Sequence, residues 1–247
     1  MTTAMFSCSK KTETLQVDDM RDYLPLQIGS YITYRLDSTV FTNFNKNIEV
    51  HAYQLRHVVD AEITDNLGRP AYRVYTYLRD SAGTQPWSPL GTYSITPLQD
   101  QIEYTEDNLR VIKMHAPVRD GYSWLGNKYL PPSPYQSLYN FSNDLYIADW
   151  EFYYDGSAQP AETIEGETYN DVLTVQQQYE SFNLPPVDSA YAALTVSVDK
   201  FAKGIGLVYR ELTMWEQQPN PSGSPPNVTY SPTRTGFGVR MWMIDHN

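Results

Sequence analysis

The chain has little that could stabilise it through covalent or metal cross-links. Cys8 is its one cysteine, so no intramolecular disulfide can form. There are four histidines, without an HxH or HExxH motif or a second cysteine, and we predict no metal site and no cofactor. His51 and His57 fall on one face of a predicted strand, but they are six positions apart, a span of about 20 Å.

Basic residues and long apolar runs are also scarce. The 247 residues include 18 Lys and Arg against 29 Asp and Glu, a formal net charge of −11. Because no basic stripe is present to replace the counterions of a phosphate backbone, we expect no nucleic-acid partner. No stretch of the sequence reaches the roughly 18 apolar residues that a membrane-spanning helix needs.

The chain is instead rich in strand-forming sequence. It has 21 tyrosines, and 14% of its residues are aromatic, which suits pleated and half-buried surfaces. The clearest segment is residues 201–215 (FAKGIGLVYRELTMW), where Gly204 and Gly206 permit a sharp turn. The residues before the turn alternate between an apolar edge and a polar edge: Leu194, Val196 and Val198 against Thr195, Ser197 and Asp199. We therefore predict an antiparallel pair of strands around Gly204.

Similar alternation between turn residues predicts the remaining strands. They are residues 30–41, 48–64, 71–78, 101–105, 109–114, 150–154, 168–180 and 237–244. About ten strands with little helix predict a mainly β fold, either an antiparallel sandwich or a partly closed barrel. We divide the chain into a leader and flexible tether, residues 1–22, and a single antiparallel β domain, residues 23–247.

Candidate catalytic chemistry rests on carboxylates. Strand alternation would place Asp149 and Glu151 on one face about 6.6 Å apart, near the spacing of the carboxylate pairs that hydrolyse glycosides. Asn143 and Asp144 could supply oxygen ligands for calcium as an alternative use of the same region. The pair Gly204 and Gly206 precedes a strand and not a helix, so we interpret it as a turn and not as a phosphate-binding loop.

Aromatic side chains in turns and loops form the candidate ligand-binding set. Its members are Trp87, Tyr122, Trp124, Tyr129 and Tyr135, of which the last four lie in a segment rich in glycine and proline. Flat rings on such a loop could stack on sugars or anchor a protein partner. The alternative interpretation is that they cover an open end of the sheet as a lid.

Two sets of residues resemble bacterial lipoproteins. Residues 5–11 (MFSCSKK) resemble the end of a lipoprotein signal peptide, with Cys8 in the acylated position. The body is similar to small uncharacterised envelope lipoproteins of Bacteroidota at residues 23–26, 29–31, 34–38, 65–73 and 204–211. The resemblance implies an outer-membrane lipoprotein of the bacterial cell envelope, facing the periplasm or the surface. Acyl chains on Cys8 would then anchor it to the membrane.

These observations predict a non-enzymatic, lipid-anchored envelope protein that binds an unknown ligand or partner. Glycan, lipid and protein ligands all stay open, and the binding surface is either the aromatic loops or the interior of the sheet. One alternative is an envelope glycan hydrolase that uses Asp149 and Glu151 as its catalytic pair. A third interpretation is a purely structural subunit of an envelope complex.

Overall fold

The structure, a computed structural model, describes residues 18–141 and 146–247. Within them, thirteen strands form one antiparallel sheet and two short strands form a separate ribbon. The strands are β1 (Tyr31–Thr42), β2 (Asn47–Thr64), β3 (Pro70–Asp80), β4 (Ser88–Pro97), β5 (Gln101–Glu106), β6 (Leu109–His115), β7 (Ser123–Leu125), β8 (Glu151–Tyr154), β9 (Gln159–Ile164), β10 (Glu167–Phe182), β11 (Ala192–Ala202), β12 (Gly206–Gln218), β13 (Pro221–Ser222), β14 (Thr229–Tyr230) and β15 (Thr233–His246). The mainly β prediction is confirmed, with more strands than the ten expected.

Helical structure in the described residues is limited to two short 3₁₀ turns, Met20–Tyr23 and Ile147–Asp149. No helix in these parts of the chain has the length and apolar character needed to span a membrane.

The sheet curves until its two edges approach each other. Its spatial order is β6, β5, β4, β3, β2, β1, β15, β12, β11, β10, β8 and β7, with β9 paired to β10. Between the edge strands β6 and β7, the backbone N–H of Ile112 donates to the carbonyl of Gly126 at 2.8 Å. The indole N–H of Trp124 donates to the carbonyl of Ile112 at 2.9 Å. The sheet is therefore a nearly closed barrel, and we call its interior the lumen.

The hairpins that the sequence predicts are present. β2 and β3 pair around the turn at residues 65–69, where Asp65 accepts from the backbone N–H groups of Leu67 and Arg69 at 2.9 Å each. β5 pairs with β6, and β11 with β12 around Gly204, which has a φ of +77°. Sequence alternation missed β4, β7 and β9, which are short or interrupted by proline and glycine.

The polar edge of β11 is the edge that the fold buries. Thr195, Ser197 and Asp199 are almost fully buried, with 1% of Asp199 exposed. Leu194, Val196 and Val198 lie on the opposite face of the strand, where each is half-buried. The lumen therefore contains a polar region next to the apolar core. These polar side chains can be buried because other strands supply hydrogen-bonding and charged groups that match them.

Residues just before the boundary predicted after residue 22 contact the sheet. Met20 is buried in the core, and the side chain of Asp18 accepts a hydrogen bond from Tyr23. Lys203 donates to Asp18 at 2.9 Å, which fixes this segment to the tip of the β11–β12 hairpin. Asp18 and Met20 thus contact the sheet, and the division of the chain into tether and domain stays a prediction.

Candidate functional site

A cavity of about 160 Å³ opens at one end of the lumen. Its mouth is formed by residues 24–27 and 30–32, by the β11–β12 hairpin tip at residues 204–207 and by Asn247. Apolar and polar surface contribute almost equally to its wall. The apolar side chains come from five strands and the segment before them: Leu24, Leu26, Ile32, Val59, Val74, Ile95 and Leu207. A concave space that combines apolar side chains with polar groups is the usual form of a small-molecule site.

The polar part of the cavity wall includes three strand tyrosines and a histidine, together with Gln27, Ser30, Tyr31 and Asn247. The hydroxyl of Tyr34 donates to the carbonyl of Leu207 at 2.9 Å. The hydroxyl of Tyr93 lies 3.1 Å from Nδ1 of His57, and the rings of Tyr93 and Tyr104 stack with their centroids 5.5 Å apart. The hydroxyl of Tyr104 makes no hydrogen bond to residues 18–141 or 146–247. Tyr104 therefore offers a polar group to a bound molecule.

A buried charge cluster lies in the lumen, and Asp199 is at its centre. Arg210, directly opposite Asp199 on β12, donates from Nε to Oδ1 at 2.7 Å and from an Nη to Oδ2 at 3.2 Å. Lys113 reaches across the lumen from β6 and donates to Oδ2 of Asp199 at 2.9 Å. Gln177 of β10 donates to the same oxygen at 2.8 Å, and its own carbonyl accepts from Ser197.

Burial and charge shift the ionisation of this cluster. Burial and the charge of Arg210 lower the pKa of Lys113 from 10.5 to about 8, although Asp199 opposes the change. Burial acts against ionisation of Asp199, but Arg210 and Lys113 hold the pKa of its carboxyl far below the usual value. Burial, assisted by Arg210, lowers the pKa of His57 from 6.5 to about 3, so its imidazole is neutral at physiological pH. Burial raises the pKa of Tyr104, against the effect of Arg210.

The predicted aromatic ligand-binding residues do not form one surface. Trp87 lies on the outer face of the sheet between two arginines, with its ring centroid 4.7 Å from the guanidinium of Arg56 and 4.2 Å from that of Arg79. Tyr129 is exposed and carries Arg110 at 4.1 Å over its ring. Both rings therefore have cationic neighbours in place, and neither lines the cavity.

The other predicted aromatic residues pack within the protein. Trp124 is buried at the junction of β6 and β7, and Tyr122 bonds to Nδ1 of His115 at 3.0 Å. Tyr135, in the loop between β7 and β8, packs edge-on against Phe237 of β15 at 5.2 Å between ring centroids. These contacts join the loop to distant strands. A ligand-binding role for the five aromatic residues stays a prediction.

The carboxylate pair does not have the geometry that the sequence suggested. β8 begins at Glu151, whereas Asp149 lies in the preceding 3₁₀ turn, so the two residues are not on one face of a strand. Both side chains are exposed, and the hydroxyl of Ser123 donates to Glu151. The strand placement was wrong because the chain forms a 3₁₀ turn over Ile147–Asp149 and the strand begins only at Glu151.

Three residues named in the sequence analysis lie outside the described parts of the chain: the acylation candidate Cys8 and the calcium-ligand candidates Asn143 and Asp144. Among the residues that are described, no group of three His, Cys, Asp or Glu side chains could hold a metal ion.

Sequence reasoning missed the charge cluster and the cavity tyrosines. One signal was available for part of it, because a hairpin centred on Gly204 places Asp199 directly opposite Arg210. Two opposite charges at paired positions indicate a cross-strand ion pair. No local signal connects Lys113 to Asp199, since 86 residues separate them.

Comparison with known proteins gives limited information. No family model and no curated protein matches the chain. A solved structure from Bacteroides fragilis, of a protein inferred to be exported and described as having a YmcC-like fold, aligns with 89% of this chain and 97% of its own. The two chains share 11% identity, and the TM-score is 0.29. A similarity at this level assigns neither fold nor function.

Proposed function

We propose that this chain is a non-enzymatic binding protein that takes up a small, mainly apolar ligand in the cavity of the lumen. The observation that carries the proposal is the cavity of about 160 Å³, whose wall combines aliphatic side chains with tyrosine and histidine groups. A cavity of about 150 Å³ in another protein holds one benzene molecule, so the expected ligand part has the size of one ring or a short acyl chain.

The proposed place of action is the bacterial cell envelope, with the chain anchored in the outer membrane by acyl groups on Cys8. The lipoprotein-like residues 5–11 support this address. Asp18 and Asp22 bind the hairpin tip that borders the cavity, through Lys203 and through the N–H of Gly204. Ten residues separate Cys8 from Asp18 and reach at most about 35 Å, so the anchor would keep the cavity mouth near the membrane.

Native mass spectrometry of the protein purified from its own host's membranes tests this proposal. We expect a diacylglycerol-sized or larger covalent adduct on a chain beginning at Cys8, and a further mass that dissociates on denaturation. L26W places a larger side chain at the cavity mouth and should abolish the dissociable mass. I28W is the matched control, because Ile28 is 56% exposed and does not line the cavity.

Two results would contradict the proposal. If the native protein carries no dissociable mass, or if L26W carries the same dissociable mass as the native protein, the cavity is excluded as the binding site. An unmodified chain beginning at Met1 in the soluble fraction would exclude the lipid anchor. Circular dichroism of both variants establishes whether a lost adduct reflects a lost fold.

A further inference from the structure

The charge cluster in the lumen has one more cation than anion. Lys113 and Arg210 share the single carboxylate of Asp199, which is 1% exposed. His57 does not add to this charge, because burial keeps its imidazole neutral. Glu106 also attracts Lys113, but it lies at the exposed end of β5, where solvent screens its charge. A buried excess charge is costly unless a further group of opposite charge approaches it.

Both cations have hydrogen-bonding capacity that the protein does not use. In residues 18–141 and 146–247, the ammonium of Lys113 has one acceptor, Asp199, although it carries three N–H groups. Arg210 uses Nε and one Nη, also toward Asp199. The side chains of Lys113 and Arg210 are 12% and 20% exposed although they project into the lumen. Both cations are therefore partly accessible, although neither side chain lines the cavity itself.

Tyr104 connects this cluster to the cavity. Its ring lines the cavity, its hydroxyl has no partner in the described chain, and the charge of Arg210 acts on its ionisation. A molecule in the cavity thus has a neutral hydrogen-bond donor next to it, and the charge of Arg210 acts on that donor.

We propose that the ligand of the cavity is a small organic anion of the carboxylate class. Its apolar part would occupy the aliphatic cavity, and its carboxylate would accept hydrogen bonds from Tyr104 and from the unused donors of Arg210 and Lys113. This inference rests on the proposed function, because it specifies the ligand of the same cavity. Charge-assisted hydrogen bonds to a carboxylate are shorter and stronger than neutral ones, which makes such a site selective for anions.

The affinity for such an anion should depend on pH through Lys113. Above its pKa of about 8 the free protein has lost this proton, so binding of the anion must take a proton up from solution. Affinity should then fall about tenfold from pH 7 to pH 9. The titratable or charged groups that act on Lys113 and on the site around it are Asp199, Arg210, Glu106, Tyr93, Tyr104 and Tyr135. Burial raises the pKa of each of the three tyrosines, so in the folded protein they stay protonated between pH 7 and pH 9.

Calorimetric titration with benzoate and with its neutral analogue benzamide tests the inference on the full chain. At pH 7 we expect benzoate to bind at least about tenfold more tightly than benzamide. K113Q leaves one cation for one carboxylate and should bring the two affinities close together. K200Q is the matched control, since Lys200 pairs with Glu162 on the outer face of the same sheet.

Each outcome decides the question. Equal affinities of the native protein for benzoate and benzamide would overturn the anion inference and leave the proposed function intact. A benzoate preference that survives in K113Q, or an affinity that does not fall between pH 7 and pH 9, would also overturn it. If neither probe binds, the anion inference fails, and the mass measurement on L26W decides the proposed function separately.

Discussion

The buried Lys113 should make the folded protein more stable at alkaline pH. Its pKa is about 8 in the folded protein and 10.5 in the usual solvated state. Because the folded pKa is the lower one, the unfolded chain holds more protons between pH 8 and pH 10.5, and the free energy of unfolding rises with pH. Integration between pH 7 and pH 9.5 gives a gain of about 2 kcal/mol from this one side chain.

Urea unfolding at pH 7, 8 and 9.5 measures this gain. Over this range the native protein and K200Q should each gain about 2 kcal/mol relative to K113Q, which lacks the titrating group, because the contributions of the other groups, including the buried tyrosines, are common to all three. Comparison of slopes removes any constant difference in stability that the substitution itself causes. A rise in K113Q as large as that of the native protein would refute the burial and charge assigned to Lys113.

Two further predictions concern the lumen wall and the barrel junction. Burial lowers the pKa of His57 to about 3, so the folded protein requires the neutral imidazole. Acidification from pH 6.5 to pH 4.5 should therefore lower the free energy of unfolding, measured with urea, by about 2 kcal/mol more in the native protein than in H57Q. A Cβ at Gly126 would overlap the ring of Phe152, so G126A should lower the free energy of unfolding by about 1–3 kcal/mol. G91A, whose Cβ would meet only ordinary contact, should leave it nearly unchanged, and equal losses in both variants would contradict the packing of the junction.

Local sequence patterns predicted the hairpins well because turn residues and alternation act over short distances. The turn at Asp65 and the turn at Gly204 each bring adjacent strands together, and their side-chain chemistry is visible in the sequence. The strand at β7 escaped prediction because it has three residues, Ser123–Leu125, inside a segment rich in glycine and proline. It forms through pairing with β8, which is distant in sequence.

The interior could not be predicted in the same way. Alternation on β11 separates an apolar edge from a polar one, but it does not say which edge is buried. The polar edge faces inward because Arg210 and Lys113 neutralise Asp199 and because Gln177 bonds to both Asp199 and Ser197. Closure of the sheet between β6 and β7 brings these groups together, and this closure depends on contacts that no local pattern encodes.

The most direct test of the central claim is a crystal structure of the protein soaked with 4-bromobenzoate, in which anomalous scattering locates the bromine. We predict an anomalous peak in the cavity between Ile32, Ile95 and Leu207, with the carboxylate directed toward Tyr104 and Arg210. Bromine found only on the outer face of the sheet, for example beside Trp87, would contradict a ligand site in the lumen.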